Sequence, residues 1–239
     1  MVWLNDFSLW TTKQVSGAAD SAKVSHDSWA ASPSICAKIN NPPSAIRYPP
    51  STIRHPPSAI MSLDIQSNRS AAKYSRKELC LRVLWGFGKI AFKLSPRPCF
   101  GFRCWLLRCF GAKIGKNVNI YPSANIYYPW NLEIGDDSAI GEWALVYNLG
   151  KVIIGSRTTV SQRVHLCAGT HDYRKPDLPL IKPPIFIGAE VWICADAFIG
   201  PNVTVGNRAI IGAASVVVKD CSGGTIYAGN PVKIIKERD

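Results

Sequence analysis

Two histidines, His165 and His171, are the side chains of this sequence best suited to proton transfer. A neutral imidazole titrates near neutral pH and can take a proton from an attacking group, which is the work of a general base. His171 is followed at once by Asp172 and then by a proline-rich stretch. We therefore consider His171 as a general base or as a surface histidine that caps a turn. Asp172 is then its orienting group or a contact for the substrate.

The eight cysteines do not form a pattern typical of zinc sites or disulfides. Cys99, Cys104 and Cys109 stand five positions apart, the others stand singly, and no Cys-x-x-Cys pair occurs. A histidine metal centre of the carbonic-anhydrase type needs three converging imidazoles, and the regular part of the chain has only two. No Gly-x-Ser-x-Gly nucleophile motif is present either. We expect no metal, no disulfide and a reducing, cytoplasmic location.

The element that must position these histidines is a hexapeptide repeat between residues 114 and 217. An aliphatic residue returns at every sixth position, a period that fits neither an α-helix nor a simple strand. Hexapeptide repeats are typical of a parallel β-helix, in which each coil buries its apolar positions by stacking on the next. The repeat therefore predicts an all-β coil over residues 111–226. Its aliphatic positions are Ile114, Ile120, Ile126, Ile134, Ile140, Val146, Ile154, Val160, Leu166, Ile187, Ile193, Ile199, Val205, Ile211 and Val217.

Irregularities in the repeat predict its corners. Glycine follows eight of the aliphatic positions, which suits a backbone that turns tightly or adopts positive φ. Two extra residues enter twice, as Leu132-Glu133 and Val152-Ile153, and we expect each pair to bulge at one corner. The repeat breaks again in His171–Phe186, which carries four prolines and predicts a projecting loop. We expect about five coils and one excursion.

Five stretches of the sequence resemble the hexapeptide-repeat acyltransferases, and within them the colanic acid and exopolysaccharide acetyltransferases. These stretches are SPRPCFGFRCWLLRCFGAKIG (Ser95–Gly115), YPWNLEIGD (Tyr128–Asp136), YNLG (Tyr147–Gly150), LCAGTHDY (Leu166–Tyr173) and AGNPVKII (Ala228–Ile235). The resemblance covers about Tyr74 to Arg238. It implies a left-handed β-helix, acetyl-CoA as donor and direct transfer to a sugar hydroxyl. It also implies a homotrimer with active sites at the subunit boundaries.

The resemblance implies roles for individual residues. His171 matches the catalytic base of the family in its Gly-Thr-His-Asp context, and Asn148 falls where relatives place a polar residue facing the acceptor. An acetyl-CoA slot between neighbouring subunits is expected to involve Trp192, Ala195, Ala213, Ser215, Lys219, Lys233 and Arg238. Each of these roles has a plain alternative: a structural asparagine in a turn, ordinary repeat positions and a solvated basic tail. Val218 and the segment Cys221–Gly224 depart from the family pattern, which puts the adenine end of the slot in doubt.

Three other functions stay open on the sequence alone. An N-acetyltransferase acting on an amino sugar would use the same fold and the same base. A carbonic-anhydrase-like metalloenzyme lacks its third histidine ligand. A noncatalytic scaffold would not need a histidine at the start of a proline-rich loop.

Positive charge is concentrated before the repeat. Residues 61–110 hold ten Lys or Arg against two Asp or Glu, whereas residues 111–239 hold thirteen against eleven. The repeat region has no basic stripe, so nucleic acid is an unsuitable partner. Residues 61–110 interleave these cations with apolar residues, in runs far short of the roughly 20 residues that a spanning helix needs. We expect amphipathic helices that cap the open end of the coil, contact anionic lipid at the inner membrane face, or do both.

The first sixty residues differ from the rest. A seven-residue tandem repeat rich in proline runs from Pro42 to Ile60, and such composition favours extended or disordered chain. Met61 follows directly, and we interpret it as the functional start, with residues 1–60 as a dispensable extension. The opening residues have no basic region followed by an apolar stretch, so we predict no signal peptide. The last segment, residues 227–239, is expected to form a tail near the coenzyme.

Overall fold

Short strands stacked into coils form the body of the molecule. The computed structural model describes residues 62–238, and the predictions for residues 1–60 and for Met61 lie outside this range. The strands are β1 Lys113–Ile114, β2 Asn119–Ile120, β3 Asn125–Ile126, β4 Leu132–Ile134, β5 Ala139–Ile140, β6 Leu145–Tyr147, β7 Val152–Ile154, β8 Thr159–Val160, β9 His165–Cys167, β10 Thr170–His171, β11 Leu180–Ile181, β12 Ile185–Ile187, β13 Trp192–Ile193, β14 Phe198–Ile199, β15 Thr204–Val205, β16 Ile210–Ile211, β17 Val216–Val217, β18 Thr225–Ala228 and β19 Lys233–Glu237.

The strands form three parallel faces. Face A contains β1, β4, β7, β12 and β15; face B contains β2, β5, β8, β13, β16 and β18; and face C contains β3, β6, β9, β14 and β17. Five coils are complete, and Cys221 and β18 begin a sixth. Strand β19 then turns back and pairs antiparallel with β18. The predicted parallel β-helix is confirmed, with part of one coil more than the five expected.

The hexapeptide positions form the core, as predicted. Apart from Ile114 in the first strand, which is partly buried, all the repeat aliphatics are buried, and those of face B are fully buried. Full burial of a side chain of this size contributes about 1.5–3 kcal/mol. Each strand supplies only one or two such residues, so stability depends on the stacking of successive coils.

Glycine has a different role from the one predicted. The glycines that follow the aliphatic residues do not have positive φ; non-glycine residues further along each turn do, among them Asp137, Arg157 and Glu190. A Cβ on Gly135 would lie 2.5 Å from the Ser156 nitrogen of the next coil. These positions need glycine because the backbones of neighbouring coils approach so closely.

A buried ladder of hydroxyls links three coils at the corner between faces A and B. Ser138 Oγ donates to the Gly155 carbonyl at 2.9 Å and accepts from the Thr158 N–H at 3.1 Å. Thr158 Oγ1 repeats the pattern one coil further, with the Gly188 carbonyl at 2.8 Å and the Val191 N–H at 3.1 Å. Each hydroxyl thereby satisfies backbone groups of the following coil inside the core.

In the described part of the chain, three α-helices precede the coil: α1 Ile65–Ser70, α2 Arg76–Leu94 and α3 Phe100–Cys109. The Asp64 carboxylate accepts from the Ser67 N–H at the start of α1, and the Ser75 hydroxyl accepts from the Glu78 N–H at the start of α2. Among residues 62–238, no helix has the length and apolar character needed to cross a bilayer.

Helices α2 and α3 cover the open end of the coil. Arg103 is fully buried and donates from Nε to the Ile120 carbonyl at 2.6 Å, while Trp85 Nε1 donates to the Ile126 carbonyl at 3.0 Å. Arg108 donates to the Ile114 carbonyl at 3.0–3.1 Å. Side chains of the helices therefore satisfy first-coil carbonyls on all three faces, which is what a cap must do.

The additional residues of the longer coils gather at the corner between faces C and A, which we call the CA corner. Here a 3₁₀-helix, Pro129–Asn131, separates β3 from β4, and residues 148–151 separate β6 from β7. Leu132-Glu133 and Val152-Ile153 do not bulge as predicted, because they lie within β4 and β7. In the third coil the same corner opens into the loop that carries β10 and β11.

Candidate active site

The proline-rich loop is organised by a short hairpin. Strands β10 and β11 pair antiparallel, with Thr170 opposite Ile181 and His171 opposite Leu180. A turn within the loop is closed by the Asp172 N–H, which donates to the Pro179 carbonyl at 3.0 Å. His171 is exposed, so the loop presents its imidazole at the CA corner.

A backbone carbonyl fixes the ring of His171. Nδ1 lies 2.6 Å from the carbonyl oxygen of Leu178. Because a carbonyl oxygen only accepts, this contact assigns the proton of the neutral ring to Nδ1. The lone pair then resides on Nε2, as a general base requires.

Asp172 makes its side-chain contacts with Arg174. Its Oδ1 accepts from the Arg174 Nε at 3.0 Å and from the Arg174 N–H at 3.2 Å. These hydrogen bonds from Arg174 lower the pKa of the Asp172 carboxyl. The orienting role expected of Asp172 is filled by Leu178, and a contact with substrate stays a prediction.

Asn148 has a structural position at the CA corner. Its side chain is fully buried, accepts from the Tyr128 N–H at 2.9 Å and donates to the Tyr128 carbonyl at 2.6 Å. A buried amide with these bonds cannot reach an acceptor in the same conformation. Of the two roles considered, the contacts support the asparagine that holds a turn.

The base of the loop fits tightly on the coil below. The Gly150 N–H donates to the Ala168 carbonyl at 2.7 Å, and a Cβ on Gly150 would overlap the carbonyls of Lys182 and Pro183. A Cβ on Gly169 would meet the side chain of Leu149 at 2.8 Å. Both ends of the loop are therefore anchored at the CA corner, close to His171.

His165 is packed against a ring. It meets Phe198 edge-on, with 5.2 Å between ring centroids, and its Nε2 is buried without a hydrogen-bond partner among the described residues. Burial lowers the pKa of His165, which favours the neutral ring. This environment favours a structural role for His165 over proton transfer.

The residues expected to bind the coenzyme are divided among the corners of one chain. Ala195 and Ala213 lie at the corner between faces B and C, where the Ala214 N–H donates to the Ala195 carbonyl at 2.9 Å. Trp192 lies on face B in β13, the strand just before that corner. It is 48% exposed and donates to Ser161 Oγ at 3.0 Å. We call these three positions the BC-corner group.

Two other residues expected to bind the coenzyme are engaged in the fold. Ser215 is fully buried and its hydroxyl accepts from the Gly229 N–H at 3.1 Å, so it is not open to a ligand. Arg238 Nη1 donates to the Glu190 carbonyl at 2.8 Å and the Arg208 carbonyl at 3.0 Å, at the corner between faces A and B. Lys219 is exposed at the CA corner, and Lys233 is exposed on β19.

Comparison with known proteins assigns the chain to a family. It is 39% identical over 158 residues to the "Putative colanic acid biosynthesis acetyltransferase WcaF" of Escherichia coli (strain K12), a match that covers 66% of this chain and 87% of that protein. This chain belongs to the hexapeptide-repeat acetyltransferases. The resemblance stated from the sequence is thereby confirmed. No protein-family model matches the chain.

Solved structures of hexapeptide-repeat acetyltransferases share the fold. A hexapeptide-repeat acetyltransferase from Vibrio cholerae superposes with a TM-score of 0.64 at 25% identity, covering 69% of this chain and 94% of that one. A galactoside acetyltransferase in complex with coenzyme A gives a TM-score of 0.65 at 25% identity, covering 73% and 89%.

Within this hexapeptide-repeat acetyltransferase, sequence reasoning missed the groups that hold the histidine. The Leu178 carbonyl is a backbone group, and no sequence pattern predicts the direction in which it points. Leu178 has φ of 43°, a left-handed conformation that an aliphatic residue seldom adopts. Among the described residues, no group of three His, Cys, Asp or Glu side chains lies close enough to hold a metal ion.

Proposed function

We propose that this acetyltransferase uses acetyl-CoA to O-acetylate a sugar hydroxyl in exopolysaccharide biosynthesis. Three observations support the proposal: the name of the colanic acid relative, the coenzyme A in the related galactoside acetyltransferase, and His171. The observation that carries it is the imidazole held through Nδ1 by Leu178, with Nε2 left to accept a proton.

The proposed reaction is direct transfer. The sugar hydroxyl gives its proton to Nε2 of His171 while its oxygen attacks the thioester carbonyl carbon. The carbon–sulfur bond breaks, and the departing sulfur takes the proton from the imidazolium to give free coenzyme A. Positioning the two substrates against one base supplies much of the rate, and the base itself contributes about 10²–10⁴-fold.

We propose a homotrimer as the active form. His171 lies at the CA corner and the BC-corner group at another, so one chain does not bring them together. A neighbouring subunit would place its BC-corner group beside His171, and the pantetheine arm would lie between the chains. Lys219 and Lys233 are exposed cations that could meet phosphate oxygens there.

We also propose a cytoplasmic protein that binds the inner membrane face. The side of α2 that does not contact the coil carries exposed apolar residues, and Trp105 of α3 is 57% exposed. We call Val83, Phe87, Ile90, Leu94 and Trp105 the helical patch. Lys77, Lys93, Arg97 and Arg108 are exposed on the same helical segment, so an anionic lipid surface complements its charge.

Replacing His171 tests the reaction. His171→Asn keeps an amide that can donate to Leu178 but has no basic nitrogen, so kcat should fall by about 10²–10⁴-fold. His165→Asn removes the other imidazole of the coil and should leave kcat near that of the wild type. Mass spectrometry of acetylated saccharides formed from acetyl-CoA measures both.

The same products decide the alternatives. Products with the acetyl group on an amino-sugar nitrogen would contradict the proposed O-acetylation and support N-acetylation. Full activity of His171→Asn would remove the histidine base from the mechanism. A wild-type protein that is monomeric and turns over no acetyl-CoA would overturn the proposal as a whole, and sedimentation measures the assembly.

A further inference from the structure

Helix α1 lies against the histidine loop through polar contacts. The helix buries no residue: Ile65, its first residue, is exposed, and so is Leu63 just before it. Its one half-buried residue is Asn68, which reaches a segment more than a hundred positions later in the chain. Apolar burial therefore does not explain why this helix lies here.

The Asn68 side chain is bonded at both ends. Nδ2 donates to the carbonyls of Asp177 and Leu178 at 2.5 and 2.6 Å, and Oδ1 accepts from Lys73 Nζ at 2.6 Å. These partners define the orientation of the amide, because carbonyls only accept and an ammonium only donates.

The Leu178 carbonyl thus accepts from two side chains. One is the Asn68 amide at 2.6 Å, and the other is Nδ1 of His171, also at 2.6 Å. A carbonyl oxygen has two lone pairs, and a second donor restricts the direction in which the first can bind. The orientation of the His171 ring is consequently coupled to a residue of the N-terminal helix.

Further contacts hold the two segments together. The Asp64 N–H donates to the Pro176 carbonyl at 2.8 Å. Lys182 forms an ion pair with Glu78 at 3.7 Å, and its ammonium lies 4.6 Å from the centre of the Tyr74 ring. The loop is therefore held on both sides of Leu178 by residues that precede the coil.

We propose that Asn68 is a positioning residue for His171, acting through the Leu178 carbonyl. It fixes the carbonyl, the carbonyl fixes the proton on Nδ1, and Nε2 stays free for the acceptor hydroxyl. This role deepens the proposed function and rests on it for its catalytic consequence. The arrangement of the ring itself can be measured without any substrate.

Three variants of the full chain test the coupling. Asn68→Ala removes the amide, and Asn68→Asp keeps an oxygen for Lys73 but cannot donate to Leu178. Gln66→Ala is the matched control, because it removes an exposed amide from the same helix. The readouts are the ¹⁵N shifts of labelled histidine rings, which report the tautomer, and kcat and KM for acetyl-CoA.

Both Asn68 variants should shift His171 from the Nδ1–H form toward a mixture of tautomers. The loss of one hydrogen bond should lower kcat by about three- to tenfold with KM for acetyl-CoA little changed. Gln66→Ala should match the wild type in every readout.

Unchanged ring shifts and unchanged kcat in both Asn68 variants would overturn the coupling. If His171→Asn is inactive while the Asn68 variants behave as wild type, only the positioning role fails. If the Asn68 variants alter the tautomer but His171→Asn stays active, the coupling stands and the histidine base fails.

Discussion

At the scale of single residues, contact between coils decides which side chains are tolerated. Gly150 is not among the glycines with positive φ, yet nothing larger fits, because the backbone of Lys182 and Pro183 lies directly against it. Glycine is therefore needed at this position because the loop packs against it, and not because of its own backbone conformation. It determines where the base of the histidine loop can sit.

Gly150→Ala should loosen the histidine loop. The added methyl must displace the backbone at Lys182, which costs about 1–3 kcal/mol as overpacking does. We expect a lower free energy of unfolding together with a lower kcat. Gly86→Ala is the control, since no atom lies within 4 Å of its Cβ position and alanine favours a helix. Equal stability of the two variants in urea would contradict the argument.

Individual residues also show which parts of the site can be predicted from the sequence. His171 could be found because its neighbours form a motif and the repeat breaks beside it. The contacts of Leu178 and Asn68 could not be found, and the two roles of Asn148 could not be separated, because each depends on backbone groups brought together from distant positions. The eight glycines were located correctly, but their reason is packing between coils, which sequence spacing does not contain.

At the scale of elements, the coil must satisfy its backbone without long strands. The buried hydroxyls of Ser138 and Thr158 do this at one corner, where a turn leaves N–H and C=O groups inside the core. Ion pairs between successive coils lie on the surface of the corners, such as Arg163 with Asp196 at 2.6 Å. Surface pairs of this kind contribute little, about 0–1 kcal/mol, so the inner ladder matters more.

Thr158→Val should destabilise the coil strongly. The substitution keeps the shape but leaves the Gly188 carbonyl and the Val191 N–H without their partner. Two unsatisfied buried groups should cost about 2–4 kcal/mol. Thr159→Val, one residue along and exposed, makes the same chemical change and should be nearly neutral. Chemical denaturation compares the two, and a neutral Thr158→Val would show that the ladder is dispensable.

Elements were predictable to the extent that they follow periodicity. The six-residue spacing indicated the coil and its inward residues, because that spacing is a property of the chain alone. The position at which the coil accommodates the extra residues, Leu132-Glu133 and Val152-Ile153, was not predictable from the sequence. These residues lie in the strands β4 and β7, which are three residues long. The longer turn of each coil therefore comes before the strand, at the CA corner.

At the scale of the whole molecule, the two parts of the described chain differ in surface character. The coil region carries nearly balanced charge, whereas residues 61–110 are strongly basic. Arg103, the buried member of this set, has its pKa lowered by desolvation and serves the cap. Exposed Arg108 also serves the cap, and Arg97 pairs with Glu142 at 3.2 Å, whereas Lys77 and Lys93 remain exposed on α2.

The helical patch should bind anionic vesicles. Flotation should recover the protein with phosphatidylglycerol-containing vesicles, less with phosphatidylcholine alone, and less at high salt because screening weakens the attraction. Replacing Phe87 and Trp105 by serine should abolish flotation. Trp143→Ser is the control, since Trp143 is 68% exposed on the coil. Recovery that is independent of lipid charge, or that survives the double replacement, would contradict membrane binding by this patch.

Each end of the coil carries a covering segment. At one end, Arg103, Trp85 and Arg108 occupy carbonyls that another strand would need. At the other, the reversed strand β19 pairs with β18 on face B, and all of its residues, Lys233–Glu237, are exposed. Exposed edges of this architecture would otherwise template fibril growth, rung upon rung. Because the first-coil carbonyls are already bonded to the helical cap, that end of the coil cannot accept the strands of another copy.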